Sequence, residues 1–201
     1  MAITGLSNPT IAKYTNTAGT VAYSDGARVG HAINYSLSVE YADDNPLYGD
    51  NRIVENESGT FNKGTLSLET SELPAAINKL LLNLTETTKT YGSGDDAFTV
   101  TEYAYDDNAK LGLFGIGFIR QEVIDDVTYY VGIVLPKCRA KFNDESATTR
   151  GESIDWQTPT IEFDVERTDA ATGNGAWKFQ TGLCDSEANA QTWINDLLNI
   201  S

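Results

Sequence analysis

Alternation of apolar and polar residues predicts the strands of this chain. The clearest run covers residues 33–41, where every second residue is apolar: Ile33, Tyr35, Leu37, Val39 and Tyr41. A period of two is typical of a strand with one buried face. Weaker patterns predict an extended arm followed by a strand or two over 5–23, and strands over 60–70, 98–104, 154–168 and 176–180.

Two longer apolar runs, 111–124 and 127–135, are separated only by Asp125 and Asp126. A two-residue acidic turn between β-branched and aromatic runs predicts a β-hairpin. Both arms are largely apolar. We therefore expect the hairpin to be covered on each face by a sheet, a helix or a neighbouring subunit.

Helical spacing of apolar residues appears twice. Ser71 is a candidate N-cap of the first helix, and Pro74 is tolerated in its first turn. The apolar stripe of this helix consists of Leu73, Ile77, Leu80, Leu81 and Leu84. Asp185 or Ser186 can cap a terminal helix with a second stripe: Ala190, Trp193, Ile194, Leu197 and Leu198.

The element order is strands, a helix, more strands and a closing helix, without regular β–α alternation, which disfavours a parallel sheet. We predict a mainly β (α+β) fold, an antiparallel β-sandwich or barrel with a flanking helix. The chain is predicted to form a single domain over 1–201, with an N-terminal arm at about 1–10. Polar composition predicts a long protruding loop at about 42–59 and another loop over 85–96.

The charge balance argues against nucleic-acid binding. Twenty-nine acidic residues and fourteen basic ones give a net charge of −15, and the densest basic group is Lys137, Arg139 and Lys141. Specific binders need clustered cations for the phosphates. We also find no secretory signal and no apolar run of membrane-spanning length. The expectation is a protein made in a cytoplasm, with Cys138 and Cys184 reduced and no membrane anchor.

Catalytic signatures are missing. His31 is the single histidine, and no Ser or Cys nucleophile signature accompanies it, which argues against a Ser-His-Asp triad. A histidine-based zinc site would need further ligands that the chain does not offer. The acidic doublets at 43–44, 95–96, 106–107 and 125–126 fall in predicted turns and do not fit a calcium loop. Glycines 112, 115 and 117 lack the Lys-Ser/Thr of a phosphate loop, and within a strand pattern they indicate bulges or the close approach of another backbone instead. We expect no catalysis, no metal and no cofactor.

Several segments, in order along the chain, resemble one known family. In the N-terminal half these are 5–14, Ser38-Val39-Glu40, 45–51 (Asn-Pro-Leu-Tyr-Gly-Asp-Asn), 64–68 and 71–73. In the C-terminal half they are 152–163 (Glu-Ser-Ile-Asp-Trp-Gln-Thr-Pro-Thr-Ile-Glu-Phe) and 174–177. Together they resemble the major tail protein, or tail tube protein, of long flexible-tailed bacteriophages. Residues 85–109 and the terminal helix carry no resemblance.

The resemblance implies a structural virion protein, made in the host bacterial cytoplasm, whose hexameric rings stack into a tube that conducts DNA into the host cell. It implies self-association, tape-measure and tail-terminator proteins as partners, and passage of DNA without specific binding. It also implies that the 42–59 loop reaches the next ring. The candidate inter-ring contacts are Asp43, Asp44, Pro46, Leu47, Tyr48 and Asp50.

The apolar 111–135 hairpin is the predicted surface at which sheets join between subunits, since open edges are normally hidden. Its candidate contact residues are Phe114, Ile116, Phe118, Tyr130 and Ile133. Acidic residues lining a tube lumen would repel phosphates and keep DNA from adhering.

Three other interpretations stay open at the level of sequence. The chain could form the inner tube of a contractile injection machine. It could be a secretion-independent β-sandwich binding module for protein or carbohydrate, the latter bound through Trp156, Trp177 or Tyr48. It could be a paired-carboxylate hydrolase, which the loop placement of the acids disfavours.

Overall fold

The structure is a computed structural model that describes residues 2–107, 110–141, 149, 157–173 and 175–200. These residues form twelve strands and two α-helices, which confirms the mainly β fold class with two helices. In chain order the elements are β1 (Ala2–Thr17), β2 (Thr20–Arg28), β3 (Ala32–Tyr41), β4 (Asn45–Gly49), β5 (Arg52–Glu57), β6 (Phe61–Thr70), α1 (Ala75–Leu82), β7 (Thr85–Tyr91), β8 (Phe98–Ala104), β9 (Leu113–Ile124), β10 (Val127–Ala140), β11 (Thr160–Glu166), β12 (Phe179–Gln180) and α2 (Glu187–Leu198).

One antiparallel sheet contains eight of these strands. Seven follow the order β2-β1-β9-β10-β11-β6-β3, and β12 pairs with β10 at Ile133 and Val134. The sheet folds over itself, so that β3 lies across from β9 and the ring of Tyr35 is 4.6 Å from that of Phe118. The barrel is not closed, because β2 and β3 stand at the two ends of the strand order.

The β9–β10 hairpin lies at the centre of this sheet, as the sequence predicts for an element covered on both faces. Asp125 and Asp126 form its turn with φ of 49° and 62°, the left-handed pair that a type I′ turn requires. Phe118 and Ile133 are buried in the inner core, whereas Ile119 and Val134 belong to a second cluster on the outer face.

Helix α1 packs against the inner core through Ile77, Leu81 and Leu82. The predicted cap at Ser71 is wrong. The helix begins at Ala75, after Pro74, and has no side-chain cap. The Ser71 hydroxyl instead accepts a hydrogen bond from the His31 backbone N–H at 3.2 Å, which ties the β2–β3 connection to the end of β6.

Helix α2 covers the outer face of the sheet. Its predicted cap is confirmed at Ser186, whose hydroxyl accepts a hydrogen bond from the Asn189 N–H at 3.2 Å. The buried stripe consists of Ala190, Ile194 and Leu198 and packs against Ala12, Ile119 and Val134 of the sheet.

Glycines on β9 set how closely α2 approaches. A Cβ atom on Gly117 would overlap Ile194, and one on Gly115 would overlap Leu198 and the ring of Tyr23. The sequence predicts bulges or the close approach of another backbone at these glycines. A close approach is observed, but the predicted partner is wrong. The atoms that approach them are side chains of α2 and β2.

The predicted N-terminal arm at about 1–10 is wrong for the described residues 2–10. They form the first part of β1 and pair with β9, from Ala2 opposite Val123 to Thr10 opposite Gly117. Through this pairing, β1 supplies hydrogen-bond partners to the backbone groups of β9 that point away from β10. Buried backbone groups need such partners. A bulge at Asn8, with φ of 51°, interrupts it.

We expect Gly117→Ala to lower the free energy of unfolding by about 1–3 kcal/mol, because the added methyl group forces α2 away from the sheet. Gly182→Ala is the matched control, since a Cβ at Gly182 has nothing within 4 Å. The control is expected to be neutral or stabilising by up to ~1 kcal/mol. Urea unfolding followed by circular dichroism measures both. Equal midpoints for the two variants would contradict the packing argument.

Candidate assembly interface

The predicted 42–59 loop is a two-stranded β-hairpin. Strands β4 and β5 pair from Asn45 opposite Glu57 to Gly49 opposite Arg52. Asp50 and Asn51 make the turn, with φ of 49° and 62°. The prediction of a loop is wrong. A strand with no buried face needs no alternation of apolar and polar residues, so the sequence here lacks the period of two by which strands are identified.

The hairpin brings together all six residues predicted to contact a neighbouring ring. Asp43 and Asp44 lie at its base, Pro46, Leu47 and Tyr48 on β4, and Asp50 in the turn. All except Pro46 are exposed. The structure thus gathers them on one projecting element, and whether this element contacts another subunit stays a prediction.

Four large apolar side chains of this hairpin project into solvent. Leu47 is 59% exposed, Tyr48 66%, Ile53 57% and Val54 63%. Tyr48 and Ile53 are cross-strand partners, and a bulge places Val54 beside Gly49. Sequence reasoning missed Ile53 and Val54. The signal was a β-branched pair isolated within polar sequence.

Asp44 fastens the base of the hairpin. One carboxylate oxygen accepts a hydrogen bond from the Gly59 N–H at 3.0 Å, and the other accepts one from the Asn56 side chain at 3.0 Å. Both bonds favour the charged carboxylate and therefore lower the pKa of Asp44. The bond from the Gly59 N–H has the larger effect, and the bond from the Asn56 amide adds to it. Ala42 N–H also donates to the Thr60 carbonyl at 2.8 Å.

A second exposed hairpin consists of β7 and β8, which pair from Thr85 opposite Ala104 to Tyr91 opposite Phe98. Sequence reasoning predicted β8 but assigned 85–96 to a loop. Phe98 is 59% exposed, and its ring packs against Tyr91. The Glu102 carboxylate accepts hydrogen bonds from the side chains of Lys89 and Tyr91. Both bonds lower the pKa of Glu102, and the bond from Lys89 has the larger effect.

The five residues predicted to join sheets between subunits cannot do so in this fold. Phe114, Ile116, Phe118 and Ile133 are buried in the protein's own core, and Tyr130 is half-buried beside α2. Their strands are also central, because β9 pairs with β1 and β10, and β10 pairs with β9, β11 and β12. Within the part of the chain that the structure describes, these positions have neighbours on both sides, so their backbone offers no edge to another copy.

The available edges belong to β2 and β3 instead. Within the described part of the chain, β2 pairs only with β1, and β3 pairs only with β6. In the middle of β3, Tyr35, Leu37 and Val39 pack against the core, while Ile33 and Tyr41 are exposed. Sequence reasoning identified the strand but could not identify its position at the edge.

The groups considered for catalysis are scattered. Asp125 and Asp126 form a hairpin turn, Asp43 and Asp44 lie at another hairpin's base, and His31 is exposed in a connection. Burial raises the pKa of the Cys138 thiol. Among the described residues we find no group of three or more His, Cys, Asp or Glu side chains arranged to hold a metal ion.

Two of the three aromatic residues considered for carbohydrate binding, Trp177 and Tyr48, lie on different parts of the described structure. Trp177 is half-buried and stacks on the buried Phe61, with ring centres 5.0 Å apart. Tyr48 lies on the β4–β5 hairpin, and Trp156 is outside the described residues, as are 152–155 and Asn174 of the family-like segments. The described helices include none with the length and apolar character needed to cross a membrane.

No protein-family model matches the chain, and a comparison with curated proteins finds no match either.

Asp44→Ala is expected to loosen the β4–β5 hairpin, so that amide hydrogen exchange over residues 45–57 becomes faster while exchange in β9 and β10 is unchanged. The neighbouring Asp43→Ala, which removes an equal charge but no bond to Gly59, is the control. Because the pKa of Asp44 is lowered in the folded state, its contribution is present above the unfolded pKa of about 4. It is lost as pH falls through the lowered value. Equal exchange in both variants would contradict this role.

Proposed function

We propose that the protein is a structural subunit of a bacteriophage tail tube, without catalytic activity, whose copies form stacked rings that conduct DNA into the host cell. The observation that carries the proposal is the β4–β5 hairpin, which projects Leu47, Tyr48, Ile53 and Val54 into solvent. Exposed apolar groups on one projecting element are typical of a surface that another protein covers. The family-like segment 45–51 forms its first strand and turn.

The open sheet supports assembly with copies of the same chain. Free edges at β2 and β3 present unpaired backbone groups, which natural proteins normally pair or blunt. Joining the β2 edge of one copy to the β3 edge of the next uses a different surface on each partner. Repeated around an axis, such a contact closes a ring. Six subunits per ring is the number that the family resemblance implies.

The charge of the chain suits a conduit for DNA. A subunit with a net charge of −15 repels phosphates at any surface that is not locally basic. DNA would therefore pass along the tube without specific binding. The protein would belong to the virion, with tape-measure and tail-terminator proteins as its other partners.

Electron microscopy of the purified protein tests this proposal. Rings or tubes are expected, and Leu47→Ser with Tyr48→Ser should prevent stacking by removing exposed apolar surface while leaving the core intact. The control is Val127→Ser with Leu183→Ser, because both side chains are about half exposed and lie outside the β4–β5 hairpin. A wild-type protein that stays strictly monomeric at high concentration would contradict the proposal.

A further inference from the structure

A groove of about 660 Å³ runs beside α1. Its floor is apolar and includes Ile77, Leu80, Leu111 and Phe114. The base of the β7–β8 hairpin forms one wall, and β1 and β2 contribute another. The volume suits a few large side chains.

Three of the chain's eight lysines line this groove: Lys13, Lys79 and Lys110. Lys79 pairs with Glu86. Lys13 and Lys110 are exposed and form no ion pair with any residue that the structure describes, although Asp25 is also part of the lining. In contrast, Lys63, Lys89, Lys137 and Lys141 each pair with a carboxylate. Lys178, Arg28 and Arg52 also form no ion pair with a described residue, but they do not line this groove, whereas Lys13 and Lys110 do.

The β4–β5 hairpin has the complementary character. Residues 42–59 contain five carboxylates and one guanidinium, a net charge of −4, around the four exposed apolar side chains. Asp50, Glu55 and Glu57 have no ion pair within the described part of the chain. An acidic element with an apolar tip fits an apolar groove flanked by lysines, because complementary charge steers association and excludes wrong partners.

The β4–β5 hairpin and helix α1, which borders the groove, are connected to opposite ends of β6. The β4–β5 hairpin precedes Phe61, where β6 begins, and α1 follows Thr70, where it ends. Ten residues of strand span roughly 30 Å. A contact between two different surfaces joins copies head to tail, and it extends along an axis where its rotation does not close a ring.

We propose that the hairpin tip of one copy inserts into the lysine-flanked groove beside α1 of a copy in the next ring. Leu47, Tyr48, Ile53 and Val54 contact the apolar floor, and the hairpin carboxylates face Lys13 and Lys110. This inference rests on the proposed function, since it assigns the acceptor surface for the stacking of rings.

Charge reversal tests the acceptor. Lys13→Glu with Lys110→Glu should leave rings intact and reduce the number of stacked rings more than about tenfold, because like charges then face each other. Lys63→Glu with Lys89→Glu changes the net charge equally at other sites and is the control. Adding Glu55→Lys and Glu57→Lys to the first variant should restore stacking by reversing the partner charges.

Disulfide crosslinking tests the contact directly in a Cys184→Ser background, where the remaining Cys138 is buried. A Tyr48→Cys protein mixed with an Ala76→Cys protein should give a covalent dimer on mild oxidation, since Ala76 lines the groove. Neither protein alone should give this heterodimer, and Tyr48→Cys mixed with Val127→Cys should give none.

The outcomes separate the two proposals. Tubes that form normally with the reversed lysines, without the Tyr48–Ala76 crosslink, overturn the groove assignment and leave the tail tube proposal standing. A wild-type protein that forms neither rings nor tubes overturns the proposed function, and an absent crosslink then overturns the groove assignment as well.

Discussion

The β9–β10 hairpin carries large apolar side chains on both faces, and both faces have to be shielded from water. The inner face holds Phe118 and Ile133, and the outer face holds Ile119 and Val134. Burying each such side chain contributes about 1.5–3 kcal/mol. The folded sheet and α1 cover the first face, and α2 covers the second. Gly115 and Gly117 make the second contact possible, because any larger residue would displace α2.

This central burial determines which surfaces remain for other molecules. Both helices are engaged with the core, and the strands beside the hairpin are paired on each side. Exposed apolar side chains and unpaired backbone therefore collect at the periphery, in the β4–β5 and β7–β8 hairpins and along β2 and β3. The core of the monomer and its candidate interfaces are thus physically separate. Substitutions in one should leave the other largely unaffected.

Sequence predicts most of the elements that bury a face and misses β4, β5 and β7, which bury none. Ile77 and Leu81 of α1, the Ser186 cap of α2 and the acidic turn of β9–β10 were all identifiable, since burial imposes a period and turns demand particular residues. The β4–β5 hairpin has no buried face, and so it looked like a loop although its strands pair regularly. The edge position of β3 depends on the order of strands, a global property that no local pattern encodes.

The same distinction explains the error about the sheet-joining surface. The sequence of an apolar hairpin such as 111–135 fits a buried core element and an intermolecular interface equally well, because both remove apolar area from water. When a complementary surface lies in the same chain, the hairpin packs against that surface, because contacts within one chain form at high effective concentration. What remains for intermolecular contact is apolar surface that the chain cannot fold back to cover. In this protein the tight base set by Asp44 and Gly59 holds Leu47 and Tyr48 away from their own core, and this separation leaves them available to a second copy.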